Sequence, residues 1–421
     1  MKVAHIATAD QYGGAAKSAY RIHSSLRRLG VGSRMYVRRK DSTDPDVIAV
    51  TPQTPAEQAF FDAQAEKITE ARQKWMSHLD YSLAFYTDHG REGLTLMRHI
   101  EEADIVHLHW VADNFFDPTL FFTARALKKP VVWRLPDIAP LTGGCHFTPT
   151  CTRFLDGCGA CPVLESEDPD DLSAQVFARR RDALGRYAGP VHFVGPCSWM
   201  EKTIRSSPLT AGSETSTILN GVDTSLFCPQ PDNGFRRQFG IDADTIMITF
   251  AAFLLPETRK GLDVLLAALS KLTDLDITVV FIGHVPPEPP KGVRSVSTGH
   301  IDDLETMRDA YAASDIVAVP SLADNLPNVV FEAMACGTTV VASDVGGIAD
   351  IVHPGQTGVL VPPGDADALA ASLRHLAQDP ASREALGNNA RRYCTEHLSL
   401  DCEAQKYVAL YERLLGQSGG N

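Results

Sequence analysis

PSLADNLPNVVFEAMACGTTVVASDVGGIAD, residues 320 to 350, joins a strand to a helix to a second strand. DIVAVP (315–320) leads in, GTTVVAS (337–343) lies within, and the residues between have helical character. Asp324 stands before that helix and Glu332 inside it, with seven residues between them. In open parallel sheets ligands bind beyond the carboxyl ends of the strands, so this junction is a place for chemistry. An ionised carboxylate accepts two charge-assisted hydrogen bonds from a diol, so Asp324 and Glu332, near Asn325 and Pro327, suit sugar hydroxyls. The unpaired N–H groups of the helix start suit a diphosphate.

The same alternation extends outward. TIMITFAAF (245–253), DITVVFIG (276–283) and GVLVP (358–362) read as further strands, and GLDVLLAALSKL (261–272) as an amphipathic helix. Upstream, MKVAHIAT runs into Gly13 and Gly14 and then a helical pattern, and VGSRMYVRR reads as the next strand. ADIVHLHW (103–110), KPVVWRL (129–135) and GPVHFVG (189–195) are short strands between helical stretches, and residues 55–100 are helix-rich. The pattern predicts an α/β chain of two doubly wound parallel-sheet domains, residues 1–226 and 227–393. Residues 394–421 form a helical segment expected to pack back on the first domain. NGVDTSLFCPQPDNG suits a hinge at the join.

Hydrophobic residues make up 44% of the 421 positions and charged residues 22%, as in a globular protein. The net charge of −13 argues against a nucleic-acid partner, which needs a basic surface. There is no signal-peptide pattern and no run of about 18 apolar residues, so the expected place is the cytoplasm. Nine cysteines are then expected to be mostly reduced. NFFDPTLFF (114–122) reads as a buried helix start rather than a membrane contact, which leaves any membrane association peripheral to the inner face. ESEDPDD (165–171) reads as a solvated loop.

Several residues fall where chemistry is expected. Gly13 and Gly14 let backbone N–H groups approach a phosphate, although a plain tight turn explains them equally well. His107 and His109 are two apart on one strand and share a face, as metal ligands, as polar groups lining a cleft, or as satisfied core histidines. Arg259 and Lys260 sit at the start of a helix, where cations disfavour the helix itself, which points to an anionic ligand or to plain surface charge. Cys145, Cys151, Cys158 and Cys161 have the spacing C-x5-C-x6-C-x2-C. The final pair suits a tetrahedral metal knuckle, with reduced thiols and disulfide pairing as alternatives. The expected metal is one structural zinc.

Taken together, GGAAKSAYR, DIVHLHW, TGGC, NGVDTSLFCP, RKG, DNLPN, FEAMACG, DVGGIADIV and GQTGVLVPPGD resemble the retaining glycosyltransferases of family 4 over nearly the whole chain. That family has the GT-B fold, two facing Rossmann-like domains with a central cleft. The resemblance implies a nucleotide-diphosphate sugar as co-substrate, no catalytic metal, and a glycan, lipid-linked or small-molecule acceptor. It makes Glu332 the ribose-diol ligand and Asp324 a contact to the donor sugar, where the family has glutamate. Asn325 and Leu326 become backbone donors, Lys260 and Arg259 balance the diphosphate, and Gly13 and Gly14 approach the donor. The family often carries an arginine where this chain has Leu255.

The cysteine stretch is similar to one branch of that family, acting in exopolysaccharide, capsule and lipopolysaccharide assembly. That branch reads Trp-x-Leu-His-Asp before TGGC; here Trp133, Leu135 and Asp137 are in register, but Pro136 replaces the histidine. The resemblance gives that histidine a catalytic role at the donor sugar. Its duty is then expected to fall on Asp137, His109 or His146, with Asp324. The rival readings are a non-catalytic nucleotide-sugar-binding pseudoenzyme and a nucleotide-sugar epimerase or hydrolase on the same fold.

Overall fold

The computed structural model describes residues 1–79, 85–124, 128–147, 151–231 and 234–418. Small parts of the helix-rich stretch, the cysteine loop, the join and the terminal segment lie outside these residues. The chain divides into two compact units. Unit 1 is Met1–Leu219 together with the chain from Glu403 onward, and unit 2 is Asn220–Cys402.

Unit 1 is built on seven parallel strands: β1 (Lys2–Ala9), β2 (Gly32–Arg39), β3 (Val47–Ala49), β4 (Ile105–Leu108), β5 (Val131–Arg134), β6 (Val191–Gly195) and β7 (Glu214–Thr217). Their order is β3-β2-β1-β4-β5-β6-β7. β4 and β5 are buried at every position, which is why both read as near-continuous apolar runs. Unit 2 has β8 (Ile246–Leu254), β9 (Ile277–His284), β10 (Arg294–Gly299), β11 (Ile316–Val319), β12 (Thr339–Ser343) and β13 (Val359–Val361). Their order is β10-β9-β8-β11-β12-β13, again with parallel pairing. Each unit is therefore a doubly wound, Rossmann-like α/β domain.

The apolar pattern does not mark β3, β7 or β10, and all three are edge strands. β7 reads ETST and β10 RSVSTG, half-exposed along most of their length. These three bury too little for their sequences to announce them, whereas the fourth edge, β13, is wholly apolar and is read.

The helix Leu400–Ser418 returns to unit 1. Ala404, Tyr407, Leu410, Tyr411 and Leu414 recur at helical spacing and pack against Val3, Ile105, Val132 and Val194. Burying Leu414 fully contributes roughly 1.5–3 kcal/mol. Cys394 lies in the preceding helix, Pro380–His397, and remains with unit 2.

ESEDPDD is solvated only up to its last residue. Asp171 is fully buried; its Oδ1 accepts the N–H groups of Ser173 and Ala174 to cap the helix Leu172–Arg186. Its Oδ2 accepts Cys161 N–H at 2.7 Å, which fixes the cysteine loop to that helix.

Candidate functional site

In unit 2 three loops at strand ends are tied together. β8 leads to a single 3-10 turn, Thr258–Lys260, closed by Gly261 at φ 74°. A Cβ on Gly261 would stand 1.9 Å from the Pro320 carbonyl oxygen, so no other residue lets the turn meet the end of β11 so closely. Leu322 N–H donates to Arg259 O at 2.8 Å, and Gly347 N–H, beyond β12, donates to Asn325 O at 2.7 Å.

The convergence brings charges together. Lys260 Nζ lies 2.5 Å from Asp324 Oδ2, and an Arg259 guanidinium nitrogen lies 3.4 Å from the same oxygen. Arg259 Nε also donates to Glu257 Oε1 at 2.5 Å. Asp324 Oδ1 accepts Asn325 N–H at 3.0 Å. Burial alone would push the Asp324 carboxyl up; Lys260 and then Arg259 outweigh it, and its pKa is held below the usual 3.8. Glu332 sits one turn into the helix Asn328–Ala335 and, like Leu326, is 7% exposed. Leu255 is wholly buried, so Arg259 is the arginine at this strand end.

Three rings that the sequence reading passed over stand at neighbouring strand ends. Phe253 at the end of β8 is 54% exposed and meets both His284 and His300 edge-on at 5.1 Å. His284 and His300 stack at 4.8 Å. Their signal was positional, each ending or directly following a strand.

In unit 1, Gly13 (φ 83°) precedes the helix Gly14–Arg28, and both glycines are exposed. Asp137 follows β5 beyond the half-buried Pro136. Its Oδ2 accepts the Trp110 indole N–H at 2.7 Å and lies 3.1 Å from His146 Nδ1, while its Oδ1 accepts Ala139 N–H at 2.9 Å. Tyr86 meets Trp110 and His146 edge-on at 6.0 and 5.9 Å. A carboxylate, an imidazole that is 31% exposed and two further rings thus form one group. Since a carboxylate only accepts, His146 donates through Nδ1, and Nε2 is its other polar atom.

His109 does not join that group, which corrects the expectation of a catalytic role. It is 1% exposed, and its Nε2 lies 2.8 Å from His5 Nδ1. Burial first, then His107 and His5, hold its pKa well below 6.5. With no exposed face it cannot meet a substrate.

The four clustered cysteines line one small cavity of about 10 Å³ together with Phe154 and Ser173. Cys145 and Cys161 are buried, and Cys158 Sγ accepts Gly143 N–H at 3.2 Å. A Cβ on Gly143 would stand 2.1 Å from Ser173 O, which explains the glycine before this loop. Desolvation raises the Cys145 thiol to about 12 and the Cys158 thiol to about 11. Among the described residues, the ligand atoms of His5, His107 and His109 lie closer together than these sulfurs do.

Residues 245–379 match the family described as Glycosyl transferases group 1. The D-inositol 3-phosphate glycosyltransferase of Kribbella flavida is 30% identical over 218 residues, 47% of this chain and 51% of that protein. The chain thus spans about half the length of the first curated relatives it matches. Among solved structures, the sucrose-phosphate synthase of Thermosynechococcus elongatus superposes with a TM-score of 0.68 at 20% identity, covering 99% of this chain and 100% of that one. HepE of Anabaena, solved in complex with UDP-glucose, gives 0.64 at 18% identity over 98% and 100%. At these identities the likeness is one of fold, and the fold is GT-B.

Proposed function

We propose that this chain, with the group 1 glycosyltransferase match in its second unit, is a retaining glycosyltransferase. It moves a sugar from a nucleotide-diphosphate sugar to a hydroxyl of a glycan, a lipid-linked intermediate or a small molecule. The observation that carries this reading is the meeting of Lys260 and Asp324 at 2.5 Å across the strand ends of the matched domain.

On this reading Glu332 binds the ribose diol and Asp324 contacts the donor sugar. Lys260 and Arg259 turn from Asp324 to the diphosphate, where their charge stabilises the leaving group without a catalytic metal. When the Asp324 carboxylate turns to the donor sugar, Asn325 N–H, now held by its Oδ1, joins Leu326 N–H as a backbone donor. Phe253, His284 and His300 offer planar faces for a nucleobase. In unit 1, Gly13 and Gly14 are backbone donors to an anion.

The new bond forms on the face that the leaving group vacates, and a phosphate oxygen takes the acceptor proton. His146, oriented by Asp137, then bonds a sugar hydroxyl through Nε2. This restores the polar contact that Pro136 cannot make. The four cysteines, which line one shared cavity, hold one structural zinc. No described helix is long and apolar enough to cross a membrane. The proposed setting is the cytoplasm, or the inner membrane face peripherally.

A panel of nucleotide sugars screened by thermal shift identifies the donor, because a ligand bound only by the folded state raises its stability. Product analysis with that donor then decides. A new glycoside supports transfer; an epimer or free sugar supports the epimerase or hydrolase; binding without turnover supports a pseudoenzyme.

A further inference from the structure

One face of the unit 1 sheet carries a cluster that the transfer chemistry does not use. His5 on β1 stands opposite His107 on β4, and His109 lies two residues further on, so the three rings project from one face. They are 0%, 0% and 1% exposed. One ligand nitrogen from each lies within 4.8 Å of the other two, the one such set of His, Cys, Asp or Glu among the described residues. The centroids of His107 and His109 are 4.0 Å apart.

Hydrogen bonds account for only half of these nitrogens. His5 Nδ1 and His109 Nε2 are 2.8 Å apart, and His107 Nδ1 is 2.6 Å from the Tyr411 hydroxyl. His5 Nε2, His107 Nε2 and His109 Nδ1 are buried without a partner, and so is the nearby Tyr407 hydroxyl. A buried polar atom is ordinarily satisfied, so three orphans on three touching rings call for a ligand. A metal-bound imidazole commonly gives its other nitrogen to an oxygen, and Tyr411 occupies that place for His107.

We propose that His5, His107 and His109 bind one first-row transition-metal dication, zinc fitting best, beneath the helix Leu400–Ser418. Three imidazoles and an open fourth position make a familiar tetrahedral set. Arg134 and Glu403 both act on Tyr407 here, so the metal enters a region that already holds one charge of each sign. The metal would pin β1 to β4. It would also fix His109, and with it the adjoining Trp110 indole that donates to Asp137.

The test is a cobalt(II) titration of untagged, chelator-stripped protein, read by absorption. The proposal expects about one equivalent with weak d–d bands typical of nitrogen ligands, separate from any equivalent that the four cysteines bind. That spectrum should persist in Cys145→Ser/Cys161→Ser, which breaks up the four-thiolate set, and disappear in folded His107→Gln/His109→Gln. Should the histidine variant not fold, X-ray absorption on zinc-loaded Cys145→Ser/Cys161→Ser decides, with three imidazole nitrogens predicted. A spectrum with only the intense thiolate-to-cobalt transition, no cobalt bound, or an unchanged nitrogen spectrum in the folded histidine variant would overturn it.

Discussion

His146 Nδ1 lies 3.1 Å from Asp137 Oδ2, and the same oxygen accepts the Trp110 indole N–H at 2.7 Å. An imidazole therefore stands beside the carboxylate that follows Pro136, delivered from the TGGC loop rather than from the strand end. If it makes the polar contact that the proline cannot, His146→Ala should cut transfer about 10- to 100-fold, the loss of one hydrogen bond of roughly 1–3 kcal/mol. Donor affinity measured by calorimetry should barely move. Asp137→Asn should act in the same direction by misorienting the ring. Full activity in a folded His146→Ala would take the imidazole out of the reaction.

Glu332→Gln replaces a charged acceptor with a neutral amide. We expect nucleotide-sugar affinity to fall by roughly 1.5–3 kcal/mol, about 10- to 150-fold. Unchanged affinity in the folded variant would remove Glu332 from the donor site. Lys260→Ala should weaken diphosphate nucleotides far more than nucleosides; equal losses for both would argue against a phosphate contact.

The Asp324 carboxyl is held below 3.8 in the folded chain. A depressed folded pKa gives stability that is complete above the unfolded value and is lost as pH falls through the folded one. Wild type should therefore shed this contribution as pH falls below 3.8 and on through the lower folded value. Asp324→Asn, which cannot titrate, should show a shallower acid limb in melting temperature against pH. Identical acid limbs would show that the pairing with Lys260 and Arg259 does not stabilise the fold.

Among the clustered cysteines, Cys151 and Cys158 are half-buried, while Cys145 and Cys161 are buried. In chelator-treated protein Cys151 should react with a thiol reagent well before Cys145, whose thiol burial raises to about 12. Zinc should protect all four. Protection of none by zinc would leave the four as ordinary reduced thiols.

How much of this is legible in sequence follows from burial. The interior strands declare themselves because β4 and β5 are buried on both faces and largely apolar, whereas the edge strands β3, β7 and β10 are short or half-exposed and do not. Lys260 and Asp324 could each be named from position, since both follow strands; their contact, 64 residues apart in sequence, needed the fold. Trp110 escaped notice because an aromatic residue after a strand usually means core, and Tyr86 because it stands outside any helix or strand. The part played by His109 stays open in the sequence for a related reason: its spacing fixes the face it shares with His107 but not whether that face is solvated. The closing helix, through Tyr407 and Tyr411, covers that face.

The central claim is retaining transfer, and proton NMR of the reaction product tests it most directly. Given the donor found by thermal shift and a competent acceptor, the anomeric coupling constant should show the donor's configuration kept, with nucleoside diphosphate released in equal amount. Lys260→Ala should abolish both signals. An inverted product, an epimerised or free sugar, or a donor that binds without turning over would contradict the account.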